Sequence, residues 1–394
     1  NSILAIQKDA QFIFDLFDKA GINEKNKSEI SDLMDKILQN AINLRLDPGV
    51  ITAVENIQSF IDTLFQPMHL RHENHEYVDC FFSVCITSEQ KISLQCFTPA
   101  PGFLQLMNLQ PHNIILTSGT LSPLDSFAMD LGQRFDIRLE NGHVASPDQV
   151  FVGIVSQGPD SKKYEFTYAN RNDKLMKKSL VEGSKAVFNV VPSGILTFFP
   201  SFAFMEEIAP MFKKMTTHKK IYCEPRDNTK TQSVIDLFHK DATRGAALLG
   251  VCRGKLSEGL DFSDDAARCV CVVGIPYPNA GDYKIQFKRD WLEKKHNGLG
   301  SQWYIESAIR AVNQAIGRAI RHKNDYAAIL LFDDRYYGWK TKLSKWIRPS
   351  IHNYNNWDDL LFELKNFYSM KMSGVPCSER PSPRNEPIMI KYTK

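Results

Sequence analysis

This sequence predicts an α/β fold, a parallel sheet with helices on both faces, preceded by a helical N-terminal segment. Three observations carry that expectation. From about residue 77, short apolar runs alternate with amphipathic stretches. The connections between them are short. The composition, 43% hydrophobic and 24% charged, is that of an ordinary globular chain with a core to bury.

Residues 1 to about 75 read as helical. Phe12, Phe14, Leu16 and Phe17 cluster, and Ile30, Leu33, Met34, Ile37 and Leu38 recur near the helical period. Asp47-Pro-Gly marks a break, after which Val50 to Leu64 resumes the pattern. Phe81–Ile86 and Ile92–Phe97 suggest a hairpin. Asn113-Ile-Ile-Leu-Thr117 reads as a strand, as do Phe151–Val155, Ile195–Phe199, Ile221–Glu224, Leu248–Cys252, Val270–Ile275 and Ala327–Phe332. Helices are expected at Lys174–Val190, Phe202–Met215 and Gln232–Asp241, and across Ala311–His322. From about Met370, Pro376, Pro381, Pro383 and Pro387 stand among polar residues, so 370–394 is expected to be a disordered tail. No internal repeat is visible.

The 394 residues suggest two or three domains. Net charge is only +3, so any nucleic-acid surface must be local. No apolar run reaches the ~18 residues of a membrane-spanning helix. The start at Asn1-Ser-Ile-Leu reads as the middle of a longer protein. None of the eight cysteines forms a CxxC pair. Cys269-Val-Cys271 alternates inside an apolar run, which suits buried strand thiols. Cys80, Cys85 and Cys96 would make a forced metal pattern, because strand-like residues surround them. No metal site is expected in this chain.

Four segments sit where ligands bind in such sheets, at strand carboxyl ends or on the helices that follow. Ser118-Gly119-Thr120 ends one strand. Pro200-Ser201 ends another, with Ser201 placed to cap a helix whose free N–H groups hold phosphate well. Arg253-Gly-Lys255 opens a third segment, in which Glu258 and Asp261 can accept from a ribose or organise arginines. The fourth is Gln314–Arg321. Read as a helix, it puts Gln314, Arg318 and Arg321 on one face, with Gly317 between them at a cost of roughly 1 kcal/mol against Ala. Two rigid planar cations beside a Gln suit a polyphosphate whose charge grows during reaction. Alone, that segment divides evenly between a solvated basic face and a phosphate sensor, and each of the other three is as readily a plain turn or cap. Their joint order along one alternating chain favours the sensor.

These residues carry a resemblance. Ser118-Gly-Thr-Leu, Thr197-Phe-Phe-Pro-Ser201, Gly254-Lys-Leu-Ser-Glu-Gly-Leu-Asp-Phe262 and Gln314-Ala-Ile-Gly-Arg-Ala-Ile-Arg321 resemble motifs III to VI of superfamily 2 helicases. Val251–Asp265 is similar to the XPD-related iron–sulfur DNA helicases, and Gly274-Ile-Pro-Tyr-Pro-Asn279 and Leu343–Arg348 are most like the Fanconi anaemia group J branch. The telomere-length-regulating branch is a close second. The resemblance covers roughly residues 80 to 368.

It implies two RecA-like motor domains with ATP and Mg²⁺ in the cleft between them, and 5′-to-3′ translocation on single-stranded DNA. Arg318 and Arg321 would face the γ-phosphate, one of them as an arginine finger worth ~10³–10⁵ in rate. Gln314 would bond the phosphate or its attacking water. Gly259 and Asp261, with Glu258 and Gly317 beside them, would approach the nucleotide. Ser118, Gly119 and Thr120 would couple the nucleotide site to DNA. Pro200, Ser201, Arg253 and Lys255 would contact the DNA backbone. The implied setting is nuclear DNA repair, with DNA-repair proteins as partners, forked and G-quadruplex DNA as candidate substrates and no membrane.

The sequence also departs from the family. It has no GxxxxGK[ST] phosphate loop and no DEAH-type run. The family's 4Fe–4S cluster ligands lie upstream of that run, so the cluster is expected outside this chain. The expected organisation is therefore an arch-type helical segment at 1–75, the remainder of the first motor domain at 76–140, the second motor domain at 141–369 and the tail at 370–394. Such a chain is expected not to hydrolyse ATP alone. The competing readings are a non-catalytic nucleic-acid-binding or scaffold protein and a telomere-type helicase.

Overall fold

In a computed structural model, the protein is described at residues 5–65, 82–88, 91–118, 121, 124–140, 142, 144–215, 217–257, 260–373 and 388–389. Two compact units form. One holds residues 1–117, 123–135 and 281–291, and the other holds 118–122, 136–280 and 292–394.

In the first unit, strand β1 (Ala5–Lys8) pairs antiparallel with β2 (Phe82–Thr87), which pairs with β3 (Ile92–Cys96). The hairpin is the one the sequence suggests, whereas β1 lies in a stretch that reads as helical. Helices α1 (Gln11–Lys19), α2 (Lys27–Asn43) and α3 (Pro48–Leu64) follow the helical reading. The Asp47-Pro-Gly break is the start of α3: the Asp47 carboxylate accepts from the Gly49 N–H at 2.8 Å, and Pro48 occupies the first turn, where its missing donor costs nothing. A small core of Ile13, Ile61, Leu64, Phe65 and Val84 joins these elements, with Phe14 and Phe17 edge-on to Phe65. The short helices α4 (Ala100–Asn108) and α5 (Leu124–Asp130) also lie in this unit.

Asn113–Thr117, expected as a strand, is not one. It lies outside any ladder among the described residues, and Ile115 is 86% exposed. A strand's N–H and C=O groups need a neighbouring strand, and this run lacks one here.

The second unit is built on a seven-stranded parallel sheet. Its strands are β4 (Val150–Val155), β5 (Ile195–Phe199), β6 (Lys220–Cys223), β7 (Ala246–Val251), β8 (Cys269–Val273), β9 (Ala327–Phe332) and β10 (Ile351–Tyr354). The order across the sheet is β10-β4-β9-β8-β5-β7-β6, with all six pairings parallel. Every residue of β4, β5, β7, β8 and β9 is buried, which explains why these strands read as unbroken apolar runs. Alternate side chains feed two cores. Leu196, Phe198, Leu248, Val270, Val272, Ile329 and Leu331 meet α8 (Thr231–Gly245) and α10 (Leu299–Ile316) on one face. Phe199, Leu249, Val251, Cys271, Val273, Leu330 and Phe332 meet α6 (Lys174–Val190), α7 (Phe202–Lys214) and α11 (Trp357–Met372) on the other. The α9 helix (Tyr283–Lys295) has no apolar stripe, and its residues fall in both units.

Residues 370–372, expected in the tail, belong to α11, which runs to Met372. Ile388–Met389 pairs antiparallel with Leu139–Glu140, and the rest of that segment lies outside the described residues. No described helix is long and apolar enough to cross a membrane.

Candidate functional site

The strand order reverses around β5, with β7 on one side and β8 on the other. Ligands of parallel sheets bind at the carboxyl ends of strands beside such a reversal. The exits of β5, β7 and the edge strand β6 lie together there. Out of β5, Pro200 leads to Ser201, the N-cap of α7, whose Oγ accepts from the Phe204 N–H at 3.3 Å. Out of β7 the chain turns sharply. Arg253 adopts φ +64, and Gly254 leads into a single 3₁₀ turn at Lys255–Ser257. Out of β6 come Glu224, Pro225 and Arg226.

A cleft of about 560 Å³ results, lined by Phe202, Glu224, Arg226, Asn228, Arg253, Gly254 and Lys255. Its cations are held at different strengths. Lys255 is exposed. Arg253 is exposed too, but its guanidinium donates to the Ser307 carbonyl at 2.8 Å. Arg226 forks onto the Glu206 carboxylate at 2.6 and 2.7 Å and lies over the Phe202 ring. Glu224 is only 4% exposed, and desolvation raises its pKa against the pull of backbone hydrogen bonds. An open, cation-lined cleft at strand ends suits a phosphodiester backbone.

The second constellation centres on Arg318 and Arg321. The expected continuous helix ends sooner: α10 stops at Ile316 and Gly317 is its C-cap. The chain tightens there into turns, with Arg318 N–H on the Ala315 carbonyl and Ala319 N–H on that of Ile316. Gln314, half-buried, is thus in the last helical turn, and the arginines lie beyond it. Gly317, placed inside the expected helix, is instead at its end. Its φ of −63° suits any residue, and an added Cβ would meet only this turn's own carbonyls, the nearest Asn313 O at 3.2 Å. It does not open the helix to another described surface.

Both guanidinium groups converge on one loop. Arg318 donates to the Ser257 carbonyl from Nε (3.1 Å) and Nη2 (2.6 Å), and to the Leu260 carbonyl from Nη1 (2.6 Å). Arg321 donates to the same Leu260 carbonyl at 2.8 Å and pairs with the exposed Asp261 at 3.3 Å. Two segments far apart in sequence therefore act as one: the loop after β7 and the turn after α10. Arg321 thus meets a carboxylate as well as a carbonyl of this loop.

Asp325 anchors the turn. Its carboxylate, 1% exposed, accepts from the Arg321 N–H at 3.0 Å and from the Arg268 guanidinium at 2.8 Å. Asp264, His322 and Asp325 bring ligand atoms close enough for a metal. Arg268 already supplies cationic charge there, 2.8 Å from Asp325, 3.2 Å from Asp265 and 3.7 Å from Asp264. Among the described residues, the cysteines do not gather as cluster ligands would. Cys85 and Cys96 are free thiols on neighbouring strands, and burial raises both pKa values away from the thiolate form.

Ser118 is exposed beyond the unpaired 113–117 run. Gly119, Thr120, Glu258 and Gly259, together with Cys80, lie outside the described residues. The structure thus gathers Ser201, Arg253 and Lys255 at one sheet edge, and Arg318, Arg321 and Asp261 around one loop. The sequence reading passed over Glu224, Arg226, Arg268 and Asp325. For the first two a signal existed, since Glu-Pro-Arg-Asp directly follows a strand, where ligand-facing loops begin.

Comparisons with known proteins place the chain among helicase-like sequences. Residues 185–350 match the family model described as a helicase C-terminal domain, and residues 1–98 match the one described as the ARCH domain of the RTEL1 helicase. The chain is 31% identical over 97% of its length to the regulator of telomere elongation helicase 1 homolog of Oryza sativa subsp. japonica, covering 42% of that protein. It is 33% identical over 94% of its length to the regulator of telomere elongation helicase 1 of Mus musculus, covering 35% of it. The chain therefore spans about two-fifths or less of the length of these relatives. A solved XPD helicase aligns with a TM-score of 0.51 at 21% identity, over 76% of this chain and 51% of that one, which shows a shared fold.

Proposed function

We propose that residues 185–350, which match the helicase C-terminal domain model, form an XPD-like superfamily 2 helicase domain, and that the chain is the second-motor part of an ATP-dependent DNA helicase of the telomere-elongation-regulating type. The single observation that carries the reading is the convergence of Arg318 and Arg321 on the loop from Ser257 to Asp261. That arrangement links a nucleotide-facing turn to the loop that also bears Arg253 and Lys255. The group J expectation gives way to the telomere type because the relatives above carry that name and the arch match is to it.

ATP would supply the anionic polyphosphate, and the residues present fit it: the guanidinium groups of Arg318 and Arg321 hold backbone carbonyls of Ser257 and Leu260, which a phosphate can displace. Gln314, one helical turn before Arg318, orients the phosphate or water. Asp261 competes with phosphate for Arg321 and keeps it near the site. Ser201, Arg253 and Lys255 hold the DNA backbone, so a shift of the Ser257–Asp261 loop on hydrolysis moves the strand. Mg²⁺ is expected to bind ligands other than these residues, since the 394 residues contain no DEAH-type run. The cysteines described do not fit an iron–sulfur cluster, and no step runs through one. The setting we propose is the nucleus, in maintenance of forked and G-quadruplex DNA together with DNA-repair proteins.

Arg321→Ala in the full-length helicase is expected to abolish ATPase activity while single-stranded DNA binding persists. Equal loss of both would make Arg321 a DNA contact or a structural residue. The 394-residue chain alone is expected to show no DNA-stimulated ATPase activity, because it has no GxxxxGK[ST] loop; measurable turnover would refute this division of the site.

A further inference from the structure

Glu224 stands at the end of edge strand β6, yet it is almost completely buried. A carboxylate so buried needs hydrogen-bond donors. It finds them on one short loop. Oε2 accepts from the Val251 N–H at 2.8 Å and Oε1 from the Leu256 N–H at 3.2 Å, and the Lys255 N–H adds to them. These donors bracket Arg253 and Lys255, two of the cations that line the cleft. The loop has little slack: Arg253 sits at φ +64, and a Cβ on Gly254 would lie 2.6 and 2.7 Å from the Glu224 carboxylate oxygens. Glycine is thus required by the close approach of the acid.

We propose that Glu224 is a positioning residue, a buried anion that fixes the Arg253–Lys255 turn so that both cations present their charges to consecutive phosphates of a nucleic-acid strand. The inference rests on the reading of this cleft as the DNA-backbone site. Its logic is electrostatic as well as steric. An acid in the wall of a cationic cleft would repel phosphate if its oxygens faced solvent. Here the oxygens are turned inward onto amide donors, so the acid sets the loop without opposing the ligand.

The test uses the 394-residue chain and a fluorescent oligothymidylate, titrated at several salt concentrations. Glu224→Gln keeps the shape but replaces one acceptor oxygen with a donor. It is expected to weaken binding severalfold and to make the plot of log affinity against log salt shallower by about 0.7, the loss of one single-strand phosphate contact. In an Arg253→Ala/Lys255→Ala background the same substitution should cost nothing further. Unchanged binding by Glu224→Gln, or an equal loss in that background, overturns the proposal. If Glu224→Gln fails to melt cooperatively, Gly254→Ala tests the same contact from the loop side; wild-type binding and salt slope in that variant would also overturn it. A wild-type chain that does not bind the oligonucleotide removes the DNA reading of the cleft instead.

Discussion

Ile195-Leu-Thr-Phe-Phe199 and Asn113-Ile-Ile-Leu-Thr117 are the same kind of sequence with opposite fates. The first is the centre of the seven-stranded sheet, paired with β7 and β8 and buried at every position. The second joins no ladder among the described residues, and Ile115 is 86% exposed. Both runs are β-branched or aromatic-rich, so local preference is alike. The difference is supply. The second unit gives β5 a strand on each side and a helix layer on each face. Nothing described does so for 113–117. A strand is thus a property of the neighbourhood as much as of the residues in it.

Hydrogen exchange should separate the two runs most widely. Amides of Ile195–Phe199 are expected to exchange only through global opening, slowed on the order of 10⁴-fold or more for a domain of ordinary stability. Amides of 113–117 should exchange nearly unprotected. Comparable protection in both would break the comparison. Protection of 113–117 gained only in a longer polypeptide would sharpen it, by showing that a neighbour can be supplied from outside the described residues.

Truncation should separate them next. Phe198→Ala removes a side chain 1% exposed and is expected to cost about 3–5 kcal/mol in denaturant unfolding. A cost under about 1 kcal/mol would mean that the sheet repacks easily and is no better ordered than the unpaired run.

A pH effect tests the closed interior of the same sheet. Lys219, 4% exposed, donates to the carbonyls of Pro192 and Ser193, and burial lowers its pKa to about 8 from an unfolded value near 10.5. Between those values the unfolded chain binds the extra proton, so this group's contribution to stability rises with pH. The stability difference between wild type and Lys219→Met should shift in favour of wild type by up to about 1.4 kcal/mol per pH unit from pH 8 towards 10.5. A flat difference would show that Lys219 is hydrated and that this end of the sheet is open. The smallest effect belongs to Ile115→Thr, expected to change stability by under about 0.5 kcal/mol. A loss above about 2 kcal/mol would show that the 113–117 run is packed after all.

The second unit was largely legible because its signals are local and repeated. Ile195–Phe199 and Ala327–Phe332 are wholly apolar, and Lys174–Val190 opens at an Asp173 cap and keeps a helical period. The site was legible residue by residue but not as a shape. Ser201, Arg253, Lys255, Arg318 and Arg321 could be picked out by their places at strand ends and their charge. Their bonding could not: Arg318 meets Ser257 across 61 residues, and Glu224 meets Leu256 across 32. Nor could the end of α10 at Ile316, because Gly317 and the arginines after it fit a helix and a cap equally well.

By itself, the sequence determined the alternation of strands and helices, the apolar runs that bury on both faces and the charged residues at their ends. Those follow from side-chain periodicity and backbone preference, which act within a few residues. Only the tertiary structure decided which apolar run finds neighbours to become a strand, which acid turns inward to hold the Arg253–Lys255 loop, and which carbonyls the two arginines grip. Those outcomes depend on hydrogen-bond partners and burial supplied by residues distant in the chain, and no local pattern encodes the partner.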